Sequence, residues 1–415
     1  MGSPLFDAVM ASLRKGLAVK AAADRPAITA PPGLRSRGFD YAAQPVAETP
    51  GGELAEAWEA FLVHTDVNGS DSIEDLDMFR HSETLPSGRI VVCWLSVGGG
   101  TANMRLKFSD DGGETWSNGA TFVDLLVTNA LNTVILGGVL ERAGVIDVYL
   151  RGQLSGIVAT RNRNLYRITW TPGTNSWSGP VLMLATTNNI AFIRPARTWD
   201  RTLRGVALFD STPTAAWKFL PVNDDGTPGA VETVDVSANA ADDQMGLLWT
   251  GAGNPRVVQR NEDSLFTNPT GTARRKTRSG GAWPGAWTTF TVDDPPTDPD
   301  IFLVISTSNN EGLKWGGGSH ASQGDVHALK SPASQAAPVF TYRRRVDGSW
   351  FEDSVNFAAL DEPITGTGAA ETVANKMTLL TYGTPARASG VVWMTAPGAV
   401  RPYTLWFVRR TVANG

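Results

Sequence analysis

The stretch of sequence that decides the fold is Phe108–Trp116, which reads FSDDGGETW. Its key positions are Ser109, Asp111, Gly113, Thr115 and Trp116. Asp and Gly in tandem predict a tight hairpin turn, because glycine accepts a positive φ angle and Asp111 can bond its own backbone. Thr115 and Trp116 favour a strand after the turn, where the indole ring can pack across the hairpin. We therefore predict that Asp111 lies in an outer hairpin turn with its carboxylate bonded to backbone amides.

Similar turns recur along the chain at intervals typical of a repeated supersecondary unit. One series has glycines near its centres: Gly112, Gly173, Gly226, Gly280, Gly348 and Gly398. Their spacing runs from 50 residues, between Gly348 and Gly398, to 68 residues, between Gly280 and Gly348. A second series, which includes Pro86-Ser87-Gly88 and Ala143-Gly144, falls between them. Two hairpins per interval indicate four strands per unit, so six such units predict a six-bladed β-propeller.

Apolar runs follow the second series of turns, as expected for inner strands that pack on both faces. Arg89–Leu95 reads RIVVCWL, Val145–Leu150 reads VIDVYL and Arg204–Phe209 reads RGVALF. Segments beside the first series of turns, such as Met104–Phe108 and Leu165–Trp170, alternate more between polar and apolar residues and suit outer strands. The predicted fold class is therefore all-β, with four-stranded antiparallel blades.

The turn around Asp111 resembles the Asp-box of the sialidase (BNR-repeat) β-propellers. Degenerate copies follow at Arg278–Trp283 and Arg345–Trp350, whereas the first unit carries the full motif. In that family the motif marks the fold, and its aspartate is a structural residue on the rim, away from any active site. The resemblance thus implies a six-bladed propeller over residues 63–415 and structural roles for the five key positions.

The same resemblance implies a set of ligand-binding residues. Arg80, in the run Phe79-Arg80-His81-Ser82, falls at the arginine that binds the substrate carboxylate in sialidases, and a guanidinium suits a carboxylate well. Asp243 and Arg260 match an acidic residue and a second arginine of the family, and Tyr382 falls near its tyrosine nucleophile. The alternative is that Arg80 forms an ordinary ion pair and that Tyr382 ends a strand.

The general acid of the family has no counterpart in this sequence. Sialidases place an aspartate in the loop after the first inner hairpin, but here that loop, Ser96–Ala102, reads SVGGGTA. Glycine cannot protonate a leaving oxygen. We therefore expect no catalytic residues and no sialidase turnover.

The N-terminal segment differs from the repeats. Residues 3–22 predict a helix, since Ser3 can cap it, Pro4 suits its first turn, and an apolar stripe follows at a spacing of four residues. The stripe is Leu5, Val9, Leu13 and Leu17. A lone helix must dock on something to persist. The proline-rich stretch 26–50 then predicts an extended arm, with plain disorder as the alternative. We divide the chain into a tethering arm, 1–62, and the propeller, 63–415.

Composition and charge argue against several classes of function, among them nucleic-acid binding and metal or cofactor chemistry. A net charge of −5 argues against a nucleic-acid surface, because counterion release needs a basic excess. No apolar run is long enough for a membrane span, and charged residues interrupt the N-terminal apolar stretch, so no signal peptide is predicted. Cys93 lies in an apolar run and cannot form an internal disulfide. The histidines lack metal-ligand spacing and the triple glycines lack a phosphate-loop context, so no metal and no cofactor are expected.

These observations favour a structural or binding module of a larger assembly over an enzyme. The arm, residues 1–60, would dock on other protein subunits, and the propeller would form a rigid head that can bind a cell-surface glycan. Such an architecture is typical of a phage virion component of the tail, baseplate or fibre, made in the host cytoplasm, although no motif carries this analogy. The alternative is a sialidase-type glycoside hydrolase that acts on an acidic sugar.

Overall fold

A computed structural model describes the parts of the chain that form the strands and their shorter connections. These are residues 57–65, 72–74, 81–98, 101–122, 135–151, 163–187, 189–198, 201–210, 215–236, 245–249, 253–260, 272–291, 315–320, 325–330, 339–346, 349–356, 377–382, 388–395 and 404–411. The described residues are all-β, which confirms the predicted fold class. The predicted helix with Leu5, Val9, Leu13 and Leu17, and the arm up to residue 56, lie outside the described residues.

The described strands form six antiparallel sheets. The first described strand, β1 (Ala57–Thr65), belongs to the sixth sheet. The first sheet contains β2 (Ser72–Glu74), β3 (Ser82–Thr84), β4 (Ile90–Gly98), β5 (Thr101–Ser109) and β6 (Ser117–Asn118). The second contains β7 (Ile135–Arg142), β8 (Val145–Arg151), β9 (Asn164–Thr171), β10 (Ser176–Trp177) and β11 (Val181–Ala185).

The remaining sheets have four strands each. The third contains β12 (Ile190–Arg197), β13 (Arg204–Asp210), β14 (Ala216–Val222) and β15 (Glu232–Val236). The fourth contains β16 (Met245–Trp249), β17 (Pro255–Arg260), β18 (Thr272–Thr277) and β19 (Thr288–Thr291). The fifth contains β20 (Trp315–His320), β21 (Asp325–Lys330), β22 (Val339–Val346) and β23 (Ser349–Asn356). The sixth contains β24 (Met377–Tyr382), β25 (Ala388–Thr395), β26 (Thr404–Thr411) and β1.

Within each sheet the strands follow one another as an antiparallel meander from an inner to an outer edge. In the first sheet the inner position is shared, since β2 and β3 both pair with β4; in the second the outer position is shared, since β10 and β11 both pair with β9. The inner strands contact each other in order, from β3 to β7, β12 and β16, and from β20 to β24 and back to β3. This arrangement of sheets around a centre is a β-propeller.

The ring closes because the two ends of the described chain pair with each other. Strand β1 runs antiparallel to β26, from the pair Ala57 and Thr411 to the pair Thr65 and Thr404. The N-terminal strand thus supplies the outer strand of the sixth sheet. The predicted boundary between arm and propeller, at residues 62 and 63, falls inside this strand.

The propeller has two faces, because successive strands run in opposite directions. We call turn face the side that carries the connections β3–β4, β5–β6, β7–β8 and their equivalents in the other sheets. The loop face carries the connections β4–β5, β8–β9, their equivalents, and the links from one sheet to the next. Side-chain contacts between sheets agree with this division: Arg197, at the end of β12, bonds Glu83 of β3, and Arg278, after β18, bonds Glu232 at the start of β15.

Apolar clusters fill the spaces between neighbouring sheets. The cluster between the second and third sheets includes Tyr149 and Leu165 on one side and Val206 and Leu208 on the other. The three predicted apolar runs form β4, β8 and β13, which are the second strands of their sheets and lie one position outward from the inner edge. Their burial on both sides accounts for their uninterrupted apolar sequence.

The turn between β5 and β6 is held by a compact set of hydrogen bonds. The backbone amide of Thr115 donates to Asp111 Oδ1 over 2.9 Å, and Ser109 Oγ donates to the same oxygen over 2.8 Å. The amide of Gly113 donates to Ser109 Oγ over 2.7 Å. Burial by itself opposes ionisation of Asp111, but the hydrogen bonds from Thr115 and Ser109 outweigh it and lower the pKa of this carboxyl group.

The sequence predicted that Trp116 packs across its own hairpin, but the structure places its ring elsewhere. Its Nε1 donates to the carbonyl of Gly113, and its ring meets Phe407 of β26 edge to face, with centroids 5.6 Å apart. Trp116 therefore packs in the interface between the first and sixth sheets. The indole stabilises the seam of the ring rather than the hairpin.

Candidate functional site

The ligand-binding residues predicted from the resemblance are only partly covered by the structure. Arg80 and Asp243 lie outside the described residues. Arg260 is the last residue of β17 and Tyr382 is the last residue of β24, and the structure describes the backbone of both but not their side chains.

The described strands place Arg260 and Tyr382 at opposite faces. Strand β17 is the second of its sheet and runs to the loop face, whereas β24 is an inner strand and runs to the turn face. The turn face of the sixth sheet is marked by Arg409, near the end of β26, which donates to the carbonyl of Gly112 in the β5–β6 turn. At about 3.3 Å per residue, a strand of six residues separates the faces by roughly 20 Å. The structure does not bring these two positions together.

The position at which the resemblance to sialidases implies a general acid falls where β4 and β5 are joined on the loop face. Strands β4 and β5 remain paired up to Gly98 and Thr101, so residues 99 and 100 alone join them. Both are glycine. The hairpin therefore offers no carboxylate to a ligand.

Charged side chains cap both ends of the apolar cluster between the second and third sheets. At the turn face, the carboxylate of Asp147 is fully engaged: Arg142 Nη2 donates to Oδ1 over 3.1 Å, Thr169 Oγ1 donates to the same oxygen over 2.6 Å, and Arg142 Nε pairs with Oδ2 over 2.5 Å. The hydrogen bond to Asp147 raises the pKa of Arg142. Arg167 and Arg204 extend this group to the β14–β15 turn.

At the loop face, the same cluster ends in Arg151, Asp210 and Lys218. Arg151 and Asp210 are the last residues of the equivalent strands β8 and β13, and alternation along each strand turns both towards the shared interface. Arg151 Nη1 donates to the carbonyl of Ile190, the residue that pairs with Asp210 across β12 and β13. Lys218 Nζ forms an ion pair with Asp210 Oδ2.

Asp210 differs from Asp147 in the number of hydrogen bonds that its carboxylate oxygens accept. Its side chain is fully buried, yet Oδ1 accepts no hydrogen bond from any residue in the described part of the chain. Lys218 is 23% exposed, so the ion pair reaches solvent on the loop-face side. Sequence reasoning missed this group; the signal was a charged residue directly after two of the three apolar runs, Arg151 after VIDVYL and Asp210 after RGVALF.

A third charged group joins the inner strands at the turn face. Arg197 donates to Glu83 from Nε over 3.0 Å and from Nη2 over 2.7 Å, and the amide of Glu141 donates to Glu83 over 3.3 Å. Arg201 reaches Glu141 over 3.5 Å and the carbonyl of Thr84 over 3.1 Å. Burial, followed by repulsion from Arg197, lowers the pKa of Arg201. These contacts join the first three sheets near the centre of the ring.

Metal-ligand clusters and membrane-spanning helices are absent from the described residues. No group of three or more metal-ligating side chains lies together in these ranges. None of the described segments is a helix with the length and hydrophobicity needed to cross a membrane. Cys93 is buried, and burial raises the pKa of its thiol far above the ordinary value.

Comparison with known proteins shows a likeness of fold. No protein-family model and no curated protein matches the sequence. An α-L-arabinofuranosidase from Fusarium graminearum, solved with an iminosugar inhibitor, superposes with a TM-score of 0.51 at 12% identity over 85% of this chain and 97% of that one. Its complex with arabinobiose gives the same TM-score at 11% identity, over 85% and 97% of the two chains. The SapL1 lectin with α-methyl fucoside gives 0.45 at 11% identity, over 82% and 96%. By its fold, this chain is a β-propeller similar to that arabinofuranosidase.

Proposed function

We propose that this protein is a carbohydrate-binding head that presents its loop face to a glycan and is held in a larger assembly by the chain that precedes β1. The observation that carries the proposal is the pairing of β1 with β26. It puts Ala57 and Thr411 together at the turn face, so a tether through the N-terminal arm leaves the loop face free.

The connections on the two faces support this division of labour. On the turn face, β7 and β8 are joined by Ala143 and Gly144 alone. Strands β19 and β23, which run towards the loop face, are followed by residues 292–314 and 357–376 before the next sheet begins. Binding residues concentrate on long connections carried by a rigid scaffold, and the ion pairs between sheets make this scaffold rigid. Arg80, Asp243 and Arg260 are proposed as ligand contacts on or near this face, and Tyr382, at the turn face, is not.

Binding without cleavage is the activity we propose, because the β4–β5 hairpin carries glycines where a sialidase carries its acid. The similarity to an arabinofuranosidase rests on the fold, and fold does not imply function. For the assembly, we propose a phage virion, with Leu5, Val9, Leu13 and Leu17 docking on a neighbouring subunit. The predicted amphipathic helix and the exit of the chain at the turn face support this tether.

The test uses the full-length protein with arabinobiose, 3′-sialyllactose and a broad glycan array. We expect saturable binding to at least one sugar, measured by calorimetry, with no released monosaccharide by chromatography. Particle association, measured by sedimentation with and without residues 1–25, tests the tether. Turnover of either sugar would make the protein a hydrolase, and an array without any bound glycan would exclude the carbohydrate-binding head.

A further inference from the structure

We propose that Asp210, Lys218 and Arg151 form a sugar-binding subsite at the loop-face end of the interface between the second and third sheets. The inference rests on the proposed carbohydrate-binding function and names the residues that would carry it. Its ligand class is a sugar ring with neighbouring hydroxyl groups, each of which can donate one hydrogen bond and accept others.

The first argument is the unsatisfied oxygen of Asp210. A buried carboxylate normally fills its acceptor sites, and one that does not needs an explanation. Asp147, at the other end of the same interface, shows the filled state, with two arginine contacts and a threonine hydroxyl. Asp210 Oδ1 accepts no hydrogen bond from the described part of the chain. A ligand hydroxyl that displaced the partly exposed Lys218 side chain would supply the missing donor.

The second argument is the chemistry of the neighbours. The ammonium group of Lys218 and the guanidinium group of Arg151 are donors, and Asp210 is an acceptor. Acceptor and donors side by side match adjacent hydroxyl groups, one of which donates a hydrogen bond to Asp210 while the other accepts a hydrogen bond from Lys218. Arg151 is held in the same interface by its bond to the carbonyl of Ile190, the residue that pairs with Asp210.

The third argument is location. The three residues stand where β8, β13 and β14 meet the loop face, the side opposite the pair formed by Ala57 and Thr411. Equivalent strand ends of two neighbouring sheets supply Arg151 and Asp210, so the subsite lies between blades. The Asp235 and Lys276 pair in the next interface contrasts with it, because Trp287 Nε1 and the carbonyls of Val234 and Gly285 complete its hydrogen bonds.

The experiment compares Asp210→Asn, Lys218→Met and the double variant with the wild type, using arabinobiose and 3′-sialyllactose as probes in calorimetry. Asp235→Asn is the matched control. We expect Asp210→Asn and Lys218→Met each to weaken binding at least about tenfold, since the first replaces a charged acceptor with a neutral amide and the second removes a charged donor. Asp235→Asn should bind like the wild type. The double variant removes both charges together, so its melting temperature should fall by less than the sum of the two single changes.

The outcomes separate this inference from the function on which it rests. If the wild type binds neither probe and no glycan on the array, the proposed function fails and the subsite fails with it. If the wild type binds a probe and Asp210→Asn retains the affinity, the subsite alone is wrong. Unchanged affinity together with a clear fall in the melting temperature of the double variant would identify Asp210 and Lys218 as a structural pair and overturn the inference.

Discussion

At the scale of single residues, the first sheet depends on a glycine that has no room for a side chain. Gly113 has a φ angle of +98°, and a Cβ atom placed on it would lie 2.2 Å from Cε1 of Phe407. Phe407 is fully buried in the interface between the first and sixth sheets. The turn therefore approaches the sixth sheet as closely as a bare backbone allows.

Gly113→Ala should lower the free energy of unfolding by about 2 kcal/mol or more, because backbone strain and overpacking add. Gly88→Ala is the matched control: its φ of +89° is similar, but nothing lies within 4 Å of its Cβ position. The control should lose about 1 kcal/mol from strain alone. Urea unfolding of both variants measures the difference, and equal losses would show that contact with Phe407 does not matter.

Asp111→Ala should destabilise the protein by about 1 kcal/mol near neutral pH, through loss of its hydrogen bonds. Because the pKa of Asp111 is lowered in the folded state, its ionised form stabilises the fold above the pKa of the unfolded chain. That contribution is lost as the pH falls through the folded pKa. The difference between wild type and variant, followed by urea unfolding from pH 7 downward, should therefore shrink in acid. A constant difference would mean that ionisation of Asp111 contributes nothing.

At the scale of elements, β1 links the arm to the ring. Arg409 stabilises its position: Nη2 donates to Glu59 of β1, while Nη1 donates to the carbonyl of Gly112 over 3.3 Å and lies 3.5 Å from Glu114. One side chain of β26 thus contacts both the strand that closes the sixth sheet and the turn of the first. The seam is held by side chains as well as by the β1–β26 ladder.

Two N-terminal deletions should therefore behave differently. Removal of residues 1–25 should leave the melting temperature of the propeller nearly unchanged and abolish association with the assembly. Removal of residues 1–65 takes away β1 and exposes the edge of β26, so we expect loss of cooperative unfolding or of soluble protein. Calorimetry and sedimentation measure both. A large fall in melting temperature after the shorter deletion would place the helix in the core of the propeller and exclude a free tether.

Elements were easier to predict from the sequence than sites. An apolar run such as Val145–Leu150 predicts a strand from its own residues. The structure confirms this strand as β8 and extends it by a single residue, to Arg151. The turn at Asp111 is equally local, because its bonds join residues at most four positions apart. Trp116 and Arg151 instead contact other sheets, at Phe407 and Ile190, and no local pattern encodes such partners. The predicted ligand residues came from a resemblance, which does not fix the face to which Tyr382 belongs.

At the scale of the whole molecule, Glu83 joins three sheets. Glu83 and Arg197 are nearly buried, with side-chain exposures of 6% and 7%. Their contact lies between the first and third sheets, which are not neighbours in the ring, and Glu141 of the second sheet adds its backbone amide. The group therefore holds three inner strands at the turn-face end of the centre.

Arg197→Met should cost about 3 kcal/mol, because it removes the guanidinium that donates two hydrogen bonds to the buried carboxylate of Glu83. The double variant with Glu83→Gln should lose less than the sum of the two single changes, since neither charge then remains. Unfolding free energies in urea complete this double-mutant cycle. Additive losses would show that the two side chains are not coupled and that the centre is held by apolar packing alone.

The pairing of Ala57 with Thr411 has one more consequence, for the order of the chain itself. The first and last described residues are neighbours in a ladder, so a short glycine-serine linker can join them without disturbing a strand. New termini can then be opened between the fourth and fifth sheets, within residues 292–314. Such a circular permutant should melt close to the propeller it came from, and its closing strand would then lie inside the sequence, secured by peptide bonds at both ends.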